Sequence, residues 1–511
     1  MANKKVSELT ALTYSDGTEE LIINDGGISK KITQADLLDC HHPTSTSSLG
    51  VGRLTLSVNT GGANTAVGYT ALRYNTTGER NTALGYRTLL NNTTGVRNVC
   101  VGHDTLANNT TGGYNTIMGY QAGYNSTTAS GNTVIGYQAF YYNTTGATNT
   151  AIGREALQKN TTGNDNVGVG YQALFSNTTG AYNVAIGKSA LYNNTTANNN
   201  NALGYQALYY NTTGSQNVAL GTTALLNNTT GIDNVGVGYQ ALYQNTTGNY
   251  NVAIGREAME NNTTARYCQA IGYRAMWSNT TGERNIAMGH SALYNNTTGA
   301  HNVALGYTAL TNNTTGSSNS GLGYQTLYSN TTGSYNTAVG YYSINNNTTG
   351  LNNTALGYSA LSTTTTGQNN TGLGYNADAS SAAANNEITL GNSSVATLRC
   401  NVTTITSLSD ERDKDNIQDL DAGLEFINNL RPVRFDWNMR DGGKVGVNDT
   451  GFIAQELQSA QQTTGVQIPN LVMDENPDKL EAGYGTLVPV LVQAVKELTA
   501  RVQQLEKQLQ G

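Results

Sequence analysis

The chain has 511 residues, length enough for several ordinary domains, yet only 12% of them are charged and 58 are Gly against 5 Pro. Its net charge of −7 and pI near 5.3 exclude the basic footprint of a nucleic-acid-binding protein. No run of 18 apolar residues is present to enter a membrane, and the four distant cysteines, Cys40, Cys100, Cys268 and Cys400, read as free thiols rather than a disulfide or metal framework.

Residues 1–46 are predicted to form a separate attachment segment. Its start, "MANKKVSELTALTYSDG", has no apolar h-region, so no secretory signal is read there. Over Met1–Leu38 the pairing of "KKVSELTAL" with "SKKITQADLL" resembles the short virion-attachment segments of phage fibres. That resemblance implies a virion tail or baseplate protein as the N-terminal partner. Cys40, His41 and His42 are adjacent, point in different directions and have no fourth ligand nearby, so they read as linker and no metal is expected.

Residues 47–378 repeat without a gap. From Gly68 to Gly374 every seventeenth residue is glycine, and from Asn64 to Asn370 every seventeenth is asparagine except Cys268. A third column begins at Leu72 and stays apolar (Leu89, Phe140, Met259, Ile344), failing only at Gly123 and at Asp378. A fixed short period means one solenoid coil per unit, and 17 residues are too few for a pair of helices. A β-coil of short strands and turns fits, with neighbouring coils about 4.8 Å apart. The asparagines then form a ladder of amides. The glycines mark a positive φ or a close approach, Cys268 removes one rung, and Asp378 begins a polar end.

Within "NTALGY", Thr82 and Leu84 share one face while Ala83 points the other way. Both faces are apolar, so both are expected to be buried, one inside the coil and one against a partner. Copies of the same chain are the expected partner. The sequences "NTALGY", "NVAIGR" and "NVALGY", together with "NNEITLGNSSVATLRCNVTT" at Asn385–Thr404, resemble the head repeats of trimeric adhesins. That resemblance implies a left-handed parallel β-roll and a homotrimer.

Two surface columns are candidates for binding. The residue after each glycine is usually Tyr, interrupted by His103, Arg154, Lys188, Thr222, Arg256 and His290. Such a column either stacks on sugars or stacks on itself and stiffens the solenoid. The two residues after "NTTG" vary from unit to unit; in a scaffold otherwise so regular they either carry specificity or drift neutrally at solvent-facing turns. Arg80, Arg97, Tyr114, Asp165 and His301 are the receptor-binding candidates. The "NTT" triplets themselves read as turn chemistry.

After a neck at 379–408, residues 409–511 change character. "SDERDKDNI", "LRPVRFDW", "GFIAQELQ" and "GTLVPVLVQAVKEL" follow in order and together resemble the endosialidase-type intramolecular chaperone, a self-cleaving domain at the end of phage tail fibres and tailspikes. The resemblance implies cleavage between Leu408 and Ser409, with Ser409 as nucleophile and Lys414 as its base. Asp413 stands where the family often has leucine. A lysine serves as a base once desolvation frees it of its proton. At the end, Leu491, Val495, Leu498, Val502, Leu505 and Leu509 form a heptad seam compatible with a parallel trimeric coiled coil. Such a clamp would fix the register of repeats that otherwise slip by 17 residues.

The expected architecture is therefore mainly β: a homotrimeric solenoid, then a small α+β domain ending in a coiled coil. The expected function is that of a phage tail fibre, made in the host cytoplasm and carried on the virion. Its expected partners are copies of itself, the virion tail, and a host surface polysaccharide or outer-membrane receptor, with no nucleic acid, membrane insertion or cofactor. A bacterial surface adhesin would need a signal sequence and an outer-membrane anchor, and neither is read here. An ice-binding solenoid would need a flat threonine array, but adjacent threonines on a strand face opposite ways. A depolymerising tailspike would need paired carboxylates, whereas acidic residues recur in no fixed slot of the repeats. At most, the chain is a serine peptidase acting on itself.

Overall fold

The computed structural model describes residues 20–25, 28–33, 47–395, 398–399, 409–440, 445–474 and 480–510. Cys40, His41, His42, Cys400 and Leu408 lie outside them, as does most of the predicted attachment segment. Within that segment, β1 (Glu20–Asp25) and β2 (Ile28–Thr33) pair antiparallel.

The chain is mainly β, and its repeats form a 21-strand parallel β-solenoid. Two compact units divide it, residues 1–301 and 302–511. In the first, three-residue strands run from β3 (Leu49–Val51) to β17 (Ile286–Met288). Thr65 pairs with Thr82 and Thr82 with Val99, a step of 17, whereas Leu49 pairs with Thr65 across a first coil one residue shorter. In the second unit, strands run from β18 (Val303–Leu305) to β23 (Ile388–Leu390). That last strand lies in the stretch expected to be neck and still pairs in register, Thr371 with Ile388.

One coil explains the rest. In Thr82–Asn98 the residues turned inward are Ala83, Thr88, Leu89, Asn92 and Asn98, all fully buried. The strand thus buries only its middle residue, and Thr82 and Leu84 face out. The outer face, expected to be covered, is exposed in the single chain: Leu84 is 47% accessible and Met118 likewise 47%. Gly85 has φ 136°, and a β-carbon there would lie 2.1 Å from the Gly102 carbonyl oxygen. Both reasons for glycine apply together.

Leu89 has φ 51°, the apolar residues of its column from Leu72 to Leu361 all lie between 48° and 58°, and Arg87 and Arg97 have φ 53° and 57°. A left-handed conformation costs a non-glycine residue about 1–3 kcal/mol. At Leu89 the cost is offset by complete burial, worth about 1.5–3 kcal/mol for such a side chain, and by its N–H donating to the Thr105 carbonyl at 3.0 Å.

The asparagine ladder forms as expected. The Asn98 N–H and Nδ2 both donate to Asn81 Oδ1 at 3.0 Å, and Nδ2 also donates to the Gly112 carbonyl at 2.9 Å. A second ladder runs through the first residue of each "NTT". There Asn92 Nδ2 donates to Asn75 Oδ1 at 2.6 Å and to its own turn at Gly95 O, 3.0 Å away. Two of the five inward side chains of this coil are therefore buried amides, with hydrogen bonds made between coils.

The C-terminal region has a small core of its own. It comprises α1 (Leu424–Asn428), the antiparallel pair β24 (Val433–Asn438) and β25 (Val445–Gly451), α2 (Ala454–Thr464), a short pair at Val472–Met473 and Glu481–Ala482, and α3 (Leu487–Gln510). Ala422, Phe426, Leu457, Ala460, Ile468, Leu471, Leu487 and Val490 pack together. Glu497 on α3 accepts from the Leu424 N–H at 2.8 Å, supplying the acceptor that Gly423 cannot at the start of α1. Among the described residues, no helix is long and apolar enough to cross a membrane.

Candidate self-cleavage site and binding surfaces

A single 3₁₀ turn, Glu411–Asp413, brings Ser409 and Lys414 together. Asp410 caps it by accepting from the Arg412 N–H at 2.9 Å and from the Arg412 guanidinium at 2.6 Å. That hydrogen-bonded guanidinium holds the Asp410 carboxyl below its ordinary range. The turn closes through the Asp413 N–H to the Asp410 carbonyl and the Lys414 N–H to the Glu411 carbonyl, at 3.2 and 3.1 Å. Lys414 Nζ then donates to Ser409 Oγ at 2.6 Å and to the Ser409 carbonyl at 3.3 Å. With a neutral lysine the first contact reverses, and the hydroxyl becomes the donor to its base. Ser409, Asp413 and Lys414 are all exposed, so nothing among the described residues desolvates the pair.

The five residues expected to carry receptor specificity stand in one column of the first unit. Each has φ between 56° and 62° and an exposed side chain. Arg80, Arg97 and Tyr114 are on consecutive coils; Asp165 and His301 are farther along. Arg97 lies over the Tyr114 ring, 5.1 Å from its centre, and donates to its hydroxyl at 2.7 Å. Asp165 accepts from the Thr148 hydroxyl.

In the tyrosine column the rings stack on one another. Tyr69, Tyr86, His103, Tyr120 and Tyr137 follow at 5.3, 4.6, 5.3 and 5.4 Å. The cationic interruptions join the stack: Arg154 lies between Tyr137 and Tyr171, at 5.5 and 5.8 Å. Ring faces in these runs are taken by their neighbours. Of the two readings of this column, stiffening fits and sugar stacking does not.

One cluster escaped sequence reasoning. The Glu257 carboxylate is buried and accepts from Arg274 Nε at 2.5 Å and Arg256 Nε at 2.8 Å. The Arg274 hydrogen bond is the main cause holding it below the ordinary carboxylate range. Beside it, Trp277 Nε1 donates to Glu260 at 2.7 Å. The available signal was the 17-residue offset of Glu257 from Arg274 and of Glu260 from Trp277. Among the described residues, no group of His, Cys, Asp and Glu is arranged to hold a metal ion.

Residues 409–473 match the family model described as the chaperone of endosialidase. The match begins at the serine of the pair and ends after α2, before α3. No curated protein and no solved structure gave a match to the chain. The matched segment and the long solenoid fit a tail-fibre-like protein with a C-terminal chaperone domain.

Proposed function

We propose that the chain is the subunit of a homotrimeric phage tail fibre that attaches the virion to a host surface and is assembled by its C-terminal domain. The observation that carries the reading is the chaperone match joined to the solenoid. Two exposed apolar surfaces support self-association. One is the outer strand face, and the other is the helix seam, where Leu491, Val495, Leu498 and Leu505 are between 46% and 61% accessible. Both await a partner, and a parallel trimer covers both. Starting assembly at α3 selects one register from many that differ by whole coils. The N-terminal segment is assigned to the virion, and the variable column from Arg80 to His301 to the receptor.

The same domain is proposed to cut its own chain before Ser409. Lys414 takes the Ser409 hydroxyl proton, and Oγ attacks the carbonyl carbon of Leu408. The peptide C–N bond breaks with proton return to nitrogen, leaving an ester that water hydrolyses to a Leu408 carboxylate and a free Ser409 hydroxyl. Because the pair is exposed in one chain, the desolvation that makes lysine a base comes from assembly. Native and denaturing mass measurement on the purified chain tests both halves. A trimer whose subunits lack residues 409–511 is expected; a monodisperse monomer overturns the fibre reading, and a full-length trimer overturns only the cleavage.

A further inference from the structure

The first unit carries an open groove of about 690 Å³ that crosses successive coils between Ser176 and Thr246. One wall is the column of four threonines from Thr195 to Thr246. The other is formed by Ser176, Asn193, Tyr210, Asn227 and Gln244. No lining side chain is charged.

The hydrogen-bonding capacity of these walls is biased. Thr195, Thr212 and Thr229 each donate their hydroxyl hydrogen to the main-chain carbonyl of the next threonine, at 3.2, 3.1 and 3.0 Å. Their donors are spent, and their Oγ lone pairs remain to accept. Gln244 Oε1 is occupied by Asn227 Nδ2 at 3.0 Å, which leaves the Gln244 amide hydrogens to donate. Tyr210 differs from the tyrosines of the stacked column. Its neighbours one coil away are Asn193 and Asn227, so no ring of its own column covers its faces. It is 48% accessible and held edge-on against Tyr209, 4.7 Å between centres at 80°.

A row of acceptors, a few amide donors, one uncovered aromatic ring and no charge describe the complement of a neutral polyol with apolar C–H faces. The walls repeat at the strand spacing of about 4.8 Å, close to the advance of a linear glycan per sugar ring. We propose that this groove binds a linear, uncharged oligosaccharide, with Tyr210 as its stacking platform and the threonine column accepting sugar hydroxyls. A polyanion finds no cation here, and the apolar part of the walls faces the C–H surfaces of the sugar rings. The proposal deepens the attachment reading and rests on it only for the source of the glycan, the host surface.

The test uses the full purified chain and calorimetric titration with malto-, cello- and mannohexaose, with oligosialic acid and a heparin hexasaccharide as charged controls. Saturable binding of at least one neutral hexasaccharide is expected, weakened about ten-fold by Tyr210→Ala, the loss expected from one good stacking contact. Asn193→Ala should weaken it several-fold, and Tyr74→Ala, in the same column outside the groove, should leave it unchanged. Circular dichroism melting identical to wild type shows that the variants fold. No neutral binding at millimolar concentration, binding indifferent to Tyr210→Ala, or preference for the charged controls overturns the proposal. If the protein binds the neutral glycan but neither trimerises nor adsorbs to cells, the fibre reading fails and the groove stands. Adsorption unaffected by Tyr210→Ala, with no glycan bound, gives the reverse.

Discussion

The Cys268 thiol donates to the Gly282 carbonyl at 3.3 Å, taking over the bond that the Asn251 side-chain amide makes to the Ala265 carbonyl at 2.8 Å. Its main-chain N–H still donates to Asn251 Oδ1 at 3.0 Å, so the substitution costs the ladder little on that side. What cysteine lacks is the Oδ1 acceptor that rungs such as Asn234 and Asn251 offer the next coil.

Cys268→Asn is therefore expected to stabilise the coils around it by about 1 kcal/mol, the net value of a restored hydrogen bond. Asn166→Ala should do the opposite. It removes the acceptor used by the Asn183 N–H and Nδ2, at 3.0 and 3.1 Å, deep in the core. The loss is on the order of 3 kcal/mol, because buried donors are left without partners. Hydrogen exchange of the neighbouring amides reads both changes locally. Burial pushes the Cys268 thiol up to about 11, so a thiol reagent should label it only after denaturation.

Two glycines in one region should respond differently to alanine. At Gly204 φ is 143°, and a β-carbon would sit 2.4 Å from the Gly221 carbonyl oxygen. Gly204→Ala should cost at least about 3 kcal/mol, from strain plus a backbone clash. At Gly236 the nearest atoms would be 3.3 Å away, and Ala219 and Ala253 occupy the same slot one coil to either side. Gly236→Ala should be neutral or stabilise by up to about 1 kcal/mol through the unfolded chain. Denaturant melts of the two variants check the contrast.

Glu257 predicts an acid-sensitive coil. Its folded carboxyl lies below the ordinary value of 4.5, so on acidification the unfolded chain takes up the proton first. Its stabilisation is complete above about pH 4.5 and is lost as the pH falls through the lower folded value. Glu257→Gln should lower the melting temperature at pH 7 and narrow the gap between variant and wild type at pH 3. A gap that is the same at both pH values would refute the assignment.

Ser409→Ala should leave assembly intact and abolish cleavage, since the change removes a nucleophile and no packing. Lys414→Met, keeping the stem without the amine, should slow cleavage by at least about 100-fold, the contribution of a positioned base. Asp413→Leu should speed it by removing a competing charge beside the lysine. Denaturing electrophoresis over time follows the appearance of the 409–511 piece, and the rate should be independent of dilution once trimers exist.

Much of this was legible in the repeat. Glycine at every seventeenth residue left only the positive φ or the close approach, and Gly85 shows both. The Asn64 ladder and the Leu72 column were readable because strict phase implies shared neighbours. The pairing of Ser409 with Lys414 came through resemblance, and a five-residue separation needs only one turn to close. The second ladder was missed because "NTT" is equally good turn chemistry; Asn92 in fact does both, bonding Gly95 locally and Asn75 across coils. The left-handed leucines were also hidden. Intrinsic preference opposes φ 51° at Leu89, and only burial and the inter-coil bond overrule it. Sequence likewise named two apolar strand faces without saying that Ala83 would point in and Leu84 out.

In each asparagine ladder the amides all point the same way, later residues donating to earlier ones, so a column has a donor end and an acceptor end. An unfinished acceptor end is a template on which a stray chain can stack its own coil. At the last rung, seventeen residues after Asn370, the sequence places Glu387. Its N–H closes the ladder on Asn370 Oδ1 at 3.0 Å, while its carboxylate turns back to the Ser380 N–H and hydroxyl at 2.8 and 2.5 Å. Any coil laid beyond it would have to bury that negative charge. That ladder, with the hydrogen-bond economy of an amyloid fibril, thus carries its own stop in one side chain, and Glu387→Asn would leave its acceptor end open.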